Sequence, residues 1–325
     1  MKIAHLVSSQ VFAGIEQHVY ELSSFMSDIS DQVIICDESI HHHMDGIKAK
    51  SLTIGSRFSP VNTYKLIKFL NNNDFSILHC HGAKASFIGK GVKTFSNIKV
   101  ISTIHGLKKN NIAFAKMDAV IGVNKLLIEN IPRSTYIPNW FNPAHLGQSS
   151  SRSGPIIAIG RLEKVKGFDQ LIKSWVNINE PLEIIGSGPE EKNLNELIHD
   201  LNLLDRIKIV TNCDYNSIEE KYKTASGLIV SSHREGGPRV VLEAINHEIP
   251  ILGSRVGMIP DLIPRECLSE PGNQESLQSL LEEMVPLLPQ LNMEAIKAVL
   301  IENYSIQNAA KKTKAVYEAL LKADS

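Results

Sequence analysis

Two glutamates, Glu235 and Glu243, flank a glycine turn in the stretch SSHREGGPRVVLEAINHEIP, residues 231–250. The apolar run ending at Ser231 reads as a buried strand. Pro238 suits the first turn of a helix carrying Val240, Val241, Leu242, Ala244 and Ile245. Gly236 and Gly237 let the backbone come close to a ligand, and the unpaired amides around Arg239 and Val240 favour an anion such as a phosphate. Carboxylates beside a phosphate are repelled, so both glutamates suit hydroxyls instead, one those of a sugar and the other those of a ribose. A second stretch, GRLEKVKGFDQL, places Arg161 and Lys166 in the loop after a strand. A guanidinium fork and a flexible ammonium are what a departing diphosphate needs, because both interactions strengthen as charge builds on the bridging oxygen. The chain has no DxD triplet. The expectation is therefore that cationic side chains stand where a metal would, with no metal and no cofactor.

Three features of the first half bear on the same chemistry. The loop AGIE puts Gly14 at a strand-to-helix turn, where open α/β sheets bind ligands, although Glu16 there also suits a plain helix start. His105 follows the strand Val100–Ile104 and precedes Gly106, and its ring can hydrogen-bond a sugar hydroxyl. His79 and His81 flank Cys80 at a strand end and share one face. No third ligand has an obvious spacing, so satisfied polar groups are expected there rather than a metal centre.

Positioning these residues takes two α/β sheets. Strand-like runs at residues 2–7, 33–36, 77–79, 100–104 and 119–123 alternate with helical patterns, as do runs at 156–159, 182–185, 207–210, 228–231 and 249–252. A Pro-, Asn-, Ser- and Gly-rich stretch between Tyr136 and Pro155 is the candidate join. The reading is two Rossmann-like domains, over residues 1–145 and 146–305. A chain of 325 residues is long enough for two such cores.

Composition narrows the partners. A hydrophobic share of 43% and a charged share of 21% fit a soluble globular chain, and no apolar run reaches the roughly 20 residues that span a bilayer. The four cysteines are scattered without a CxxC pair, which points to reduced thiols and a cytoplasmic setting. The front half is net basic and the back half net acidic, yet the basic residues lack aromatic interleaving, so nucleic acid is disfavoured. An anionic membrane surface or a phosphorylated acceptor fits better. The segment Val61–Leu70, with Lys65 and Lys68 beside Leu66, Ile67, Phe69 and Leu70, is a candidate for peripheral contact, the plainer reading being a helix that covers a sheet.

GRLEKVKG, EIIGSGPE and YKTASGLIVSSHREGGPRVVLEA, in that order and spacing, resemble the carboxy-terminal domain of the retaining GT-B glycosyltransferases of family 4. AGIEQHV, ILHCHG, STIHG and IPNWF are similar to that family's first-domain loop, HxH strand, TxH strand end and hinge. The resemblance implies a GT-B fold, two Rossmann-like domains facing each other across a cleft, the N-terminal one (1–145) acceptor-binding and the C-terminal one (146–305) donor-binding, with a last helix over about 306–325 returning to the first. It implies that Arg161 and Lys166 hold the donor diphosphate, that Glu235 meets the donor sugar and Glu243 the ribose, and that the backbone of Gly236, Gly237, Pro238 and Arg239 meets sugar and phosphate. Gly14 would contact phosphate and His105 the transferred sugar. Three departures stand out: Ala13 replaces the first loop glycine, Gly237-Pro238-Arg239 replaces a phenylalanine-glycine pair, and Trp140 replaces the hinge glycine.

The implied activity is retaining transfer of a hexose-type unit from a nucleotide-diphosphate sugar to a glycan or lipid-linked acceptor, in bacterial surface polysaccharide or lipopolysaccharide synthesis. Front-face attack by the acceptor hydroxyl, with the leaving phosphate taking its proton, is the mechanism that the resemblance favours. A phosphorylase, a nucleotide-sugar epimerase or a non-catalytic transferase-like partner would share the fold.

Overall fold

The computed structural model describes residues 1–52, 59–106, 112–141, 152–211, 213 and 215–322. It divides into two compact units, Met1–Asn139 with Ile306–Ser325, and Trp140–Ser305. The division falls at Asn139–Trp140 rather than after residue 145, because Trp140 and Phe141 are buried and Phe141 bonds to the Tyr304 carbonyl of the second unit. Much of the candidate join, residues 142–151, lies outside the described residues.

The first unit is a seven-stranded parallel sheet of β1 (Lys2–Leu6), β2 (Asp31–Cys36), β3 (Ala49–Ser51), β4 (Ile77–His81), β5 (Lys99–Ile104), β6 (Ala119–Gly122) and β7 (Ser134–Tyr136). The order β3-β2-β1-β4-β5-β6-β7 reverses direction between β1 and β4. All five residues of β4 are buried, as expected of a strand covered on both faces by helices. The helix Pro60–Asn72 buries Leu66 and Leu70 and leaves Lys65 and Lys68 exposed, so it covers the sheet. The C-terminal helix Ile306–Lys322 packs in this unit against the helix Gly14–Met26.

The second unit is a six-stranded parallel sheet of β8 (Ile156–Ile159), β9 (Leu182–Ile185), β10 (Ile207–Val210), β11 (Gly227–Val230), β12 (Ile251–Ser254) and β13 (Leu268–Ser269), in the order β10-β9-β8-β11-β12-β13. One continuous hydrophobic core, in which Trp175 is fully buried, binds sheet and helices together. The sequence reading starts β12 at Ile249, two residues early. Glu248 takes a positive φ of 58° and the Ile249 amide turns back to the Ala244 carbonyl, closing the preceding helix, so the strand begins only after Pro250. The edge strands β3, β7 and β13, each of three residues or fewer, escape a reading by alternation because a period of two needs a longer run to register.

Candidate functional site

In the second unit the sheet order reverses between β8 and β11, and loops at the carboxyl ends of strands flanking such a point are where open α/β sheets bind ligands. The β8 loop carries Gly160 to Lys166 and the β11 loop carries Ser231 to Pro238. They are stitched together by the Ser231 hydroxyl on the Lys166 carbonyl (2.9 Å) and the His233 amide on the Val165 carbonyl (2.8 Å). Gly167, at φ +65°, lies so close that a Cβ there would overlap the Ser231 carbonyl oxygen, so this juncture requires glycine. The GSG turn after β9 is equally tight: a Cβ on Gly186 would overlap the Gly160 carbonyl oxygen.

On this frame Lys166 Nζ sits 2.6 Å from Glu235 Oε1, and the Ser232 hydroxyl donates to the same oxygen at 2.7 Å. Both charged side chains are largely buried, at 20% and 13% exposure. The Lys166 stem lies over Gly160, where a Cβ would come within 3.2 Å of it. Gly257 supports the Glu235–Gly236 backbone from below, at φ +61° and with no room for a side chain. The helix Arg239–Asn246 starts directly after Pro238, which caps it in extended conformation, and buries Val241, Leu242, Ala244 and Ile245 against the sheet. Glu243 accepts from the Tyr222 hydroxyl at 2.9 Å and lies 3.8 Å from Arg239 Nε. Tyr222 stacks on His247, whose ring contacts Glu219.

The structure therefore joins Lys166 with Glu235, and Arg239 with Glu243. Arg161 stands apart from these pairs: its side chain is 70% exposed and pairs with Glu163 at 2.6 Å. Through Glu163, Val165, His233 and Arg234 the two loops also line a cavity of 490 Å³, and none of the ten residues singled out from sequence lines it. Tyr222 and Ser232 were not legible as site residues, since a tyrosine inside a polar helix and a second serine at a strand end carry no spacing signal.

In the first unit Gly14 opens its helix, is exposed, and has no described atom within 4 Å of where a Cβ would stand. The Ala13 amide donates to Glu16 Oε2 at 3.0 Å, so Glu16 closes the helix start, and burial raises its pKa. His105, half-buried, has Nε2 3.4 Å from His81 Nδ1 and its ring edge-on to His18, centroids 4.6 Å apart. The third histidine that no spacing revealed beside His79 and His81 is supplied by the fold. His5 on β1 is in register with His79, and two trios, His5–His79–His81 and His18–His81–His105, hold ring nitrogens close enough to share an ion. Spacing hid them because they come from β1, β4, the end of β5 and a helix. In the first trio the nitrogens are already engaged: His79 by Tyr317 and Thr103 hydroxyls at 2.7 Å each, His5 by Gln32 and His81. Burial lowers the pKa of His5 to about 4 and holds His79 and His81 well below the ordinary range, so all three rings are neutral at neutral pH.

The chain thus presents two parallel-sheet α/β units, with cation–carboxylate pairs in the loops and helix that follow the switch-point strands of the second. Residues 149–298 match the family described as glycosyl transferases group 1. The chain is 23% identical to a phosphatidylinositol N-acetylglucosaminyltransferase subunit of Arabidopsis thaliana, over 97% of its own length and 80% of the relative's. In fold it is similar to a glycosyltransferase from Rickettsia africae (TM-score 0.83, 18% identity, 99% of this chain and 98% of that one). It is likewise similar to the Anabaena HepE protein in complex with UDP and glucose (TM-score 0.85, 15% identity, 98% and 100%). The chain has the GT-B fold, and most of its second unit is the segment that matches the group 1 glycosyl transferases. Among the described residues no single helix is long and apolar enough to cross a membrane.

Proposed function

We propose that this chain is a retaining hexosyltransferase that moves a hexose-type sugar from a nucleotide-diphosphate donor to a glycan or lipid-linked acceptor. The proposed setting is bacterial surface polysaccharide or lipopolysaccharide synthesis at the inner face of the cytoplasmic membrane. The observation that carries this reading is the Lys166–Glu235 pair, held between the two loops of the switch point. An ammonium and a carboxylate that neutralise each other are released together when a donor arrives, the ammonium to the diphosphate and the carboxylate to sugar hydroxyls. Charge on the leaving diphosphate grows in the transition state, so Lys166, with Arg161 swinging from Glu163, stabilises it more than the ground state. The acceptor hydroxyl attacks the anomeric carbon on the face that the phosphate leaves, and its proton passes to the departing phosphate oxygen. Because the cations belong to the protein, transfer is expected to persist in EDTA.

Glu243, Gly236, Gly237, Pro238 and Arg239 are assigned to the donor, with Glu243 on the ribose. Gly14 and His105 are assigned to a phosphate and to the transferred sugar on the resemblance stated above. The UDP and glucose held by the Anabaena protein support a nucleotide-sugar donor, and the Arabidopsis relative's name supports a lipid-linked acceptor. Peripheral membrane contact is assigned to the helices Pro60–Asn72 and Gly82–Phe95. They expose Val61, Tyr64 and Phe95 and border a groove of 600 Å³, next to the exposed Lys65 and Lys68. The test is a panel of nucleotide sugars with release of nucleotide diphosphate and sugar transfer as readouts. Folded protein that neither transfers nor hydrolyses any donor would overturn the reading, and loss of all transfer in EDTA would overturn metal independence.

A further inference from the structure

The two partners of the Lys166–Glu235 pair are anchored at opposite ends, by two serines that directly follow β11. Ser231 and Ser232 are both buried, yet they bond to different partners. The Ser231 hydroxyl donates to the Lys166 carbonyl at 2.9 Å, and beside it the His233 amide donates to the Val165 carbonyl at 2.8 Å. These bonds hold the main chain of the β8 loop and leave the flexible four-carbon stem of the lysine to its rotamers. The Ser232 hydroxyl donates to Glu235 Oε1 at 2.7 Å, so it holds the carboxylate itself. The main chain beneath is also held, since Gly257 leaves no space for a side chain under Glu235 and Gly236. Lys166 is thus fixed at its root and Glu235 at its tip. Lys166 Nζ meets the same Oε1 at 2.6 Å, and Oε2 is the oxygen that neither donor uses.

We propose that Ser232 is a positioning residue that keeps the Glu235 carboxylate in place when the ion pair opens, so that Lys166 alone moves toward an incoming diphosphate. A largely buried carboxylate that loses its ammonium bears the cost of an uncompensated charge, and the Ser232 hydroxyl offsets part of it with a charge-assisted hydrogen bond. A short, buried serine gives up little rotamer freedom to make that bond, whereas the lysine stem is the longer and freer of the two arms. The consequence is directional: with Oε1 kept on Ser232, Glu235 meets a sugar hydroxyl through Oε2, along a line set before the donor arrives. This consequence rests on the proposed role of Glu235 at the donor sugar, while the unequal anchoring rests on the bonds described above.

Crystal structures of Lys166→Ala, alone and combined with Ser232→Ala, test this without any donor. In Lys166→Ala, Glu235 Oε1 is expected to stay within hydrogen-bond distance of the Ser232 hydroxyl, and in the double variant the carboxylate is expected to turn away. A carboxylate that leaves Ser232 in Lys166→Ala would overturn the proposal, as would one that keeps its place in the double variant. Should the double variant not fold, the Lys166→Ala structure decides. With a donor selected from the nucleotide-sugar panel, Ser232→Cys fills the same space with only a weak donor. It should lower kcat roughly 10- to 100-fold, the worth of a hydrogen bond to a charged group, and leave affinity for the nucleoside diphosphate unchanged. Wild-type kcat in Ser232→Cys would overturn the proposal. So would an equal loss of diphosphate affinity, which is what a general loosening of the two loops would produce. The expected geometry in a protein that transfers no sugar would count against the transferase reading and leave the hold of Ser232 on Glu235 standing.

Discussion

Lys166 Nζ and Glu235 Oε1, 69 positions apart in sequence, lie 2.6 Å apart between the loops that follow β8 and β11. The pairing separates two losses that sequence alone would merge. Lys166→Ala should weaken binding of a nucleoside diphosphate and lower transfer by roughly 100-fold or more, as removal of a transition-state charge partner does. Glu235→Ala should leave diphosphate binding unchanged or tighter, because the ammonium no longer has a competing carboxylate, while transfer is lost. Calorimetry with the nucleoside diphosphate, beside a transfer assay, checks both; equal weakening of diphosphate binding by the two variants would refute the division of labour.

Tyr222 holds Glu243 through its hydroxyl at 2.9 Å. Tyr222→Phe removes one hydrogen bond to a charged acceptor and keeps the ring stack on His247. Donor affinity should fall by about 1.5–3 kcal/mol if Glu243 must be aimed at the ribose. Thermal shift against donor concentration measures it, and a melting temperature unchanged without donor shows that the loss is one of aim rather than of fold.

The second-unit strands β8, β9 and β10 were legible to the residue because each is a short run dominated by Ile, Leu and Val, broken by at most one charge and bounded by turn residues. The glycine turns were legible as turns between strand and helix, with Lys166 and Glu235 in the loops and Glu243 on the helix that follows, where the sequence reading put them. Partnership was not. That Glu235 pairs with Lys166 depends on β8 lying beside β11, a crossover that no local spacing encodes. The histidine cluster was hidden for the same reason: Gln32, His5, His81 and His105 sit on four segments, and parallel pairing alone brings them together.

Gly167 joins the two site loops with a positive φ of 65° and no space for a methyl group. Gly167→Ala should cost the fold on the order of 2–4 kcal/mol, from backbone strain and from overlap with the Ser231 carbonyl. Gly272, also at positive φ but with open space around it, isolates the strain: Gly272→Ala should cost about 1 kcal/mol. Denaturant unfolding of the two variants gives the comparison, and equal losses would show that crowding at Gly167 contributes nothing.

Acid should destabilise the first unit through its buried histidines. His5 is neutral in the folded chain down to about pH 4 but titrates near 6.5 when unfolded, so between these values the unfolded state binds more protons and stability falls as pH falls. The contribution is whole above pH 6.5 and is lost progressively toward pH 4, roughly 2 kcal/mol of it by pH 5. His79 and His81, depressed by the same burial, add to the slope in the same direction. His5→Gln, which keeps a polar group beside Gln32 without a titrating ring, should flatten the fall in unfolding free energy between pH 6.5 and 5; an unchanged slope would show that His5 charges without cost.

Membrane contact has its own separable test. The helix Pro60–Asn72 presents Lys65 and Lys68 to solvent beside the exposed Val61 and Tyr64, and its buried side is already committed to the sheet through Leu66 and Leu70. Reversing both charges, Lys65→Glu with Lys68→Glu, therefore leaves the core untouched. Co-sedimentation with vesicles containing phosphatidylglycerol should drop several-fold, and the wild-type binding should weaken with salt, since the attraction is between exposed charges. Tyr64→Ser should reduce binding to the same vesicles without changing its salt dependence, because the ring adds apolar contact and no charge. Binding that ignores both salt and the double variant would move the contact elsewhere on the chain.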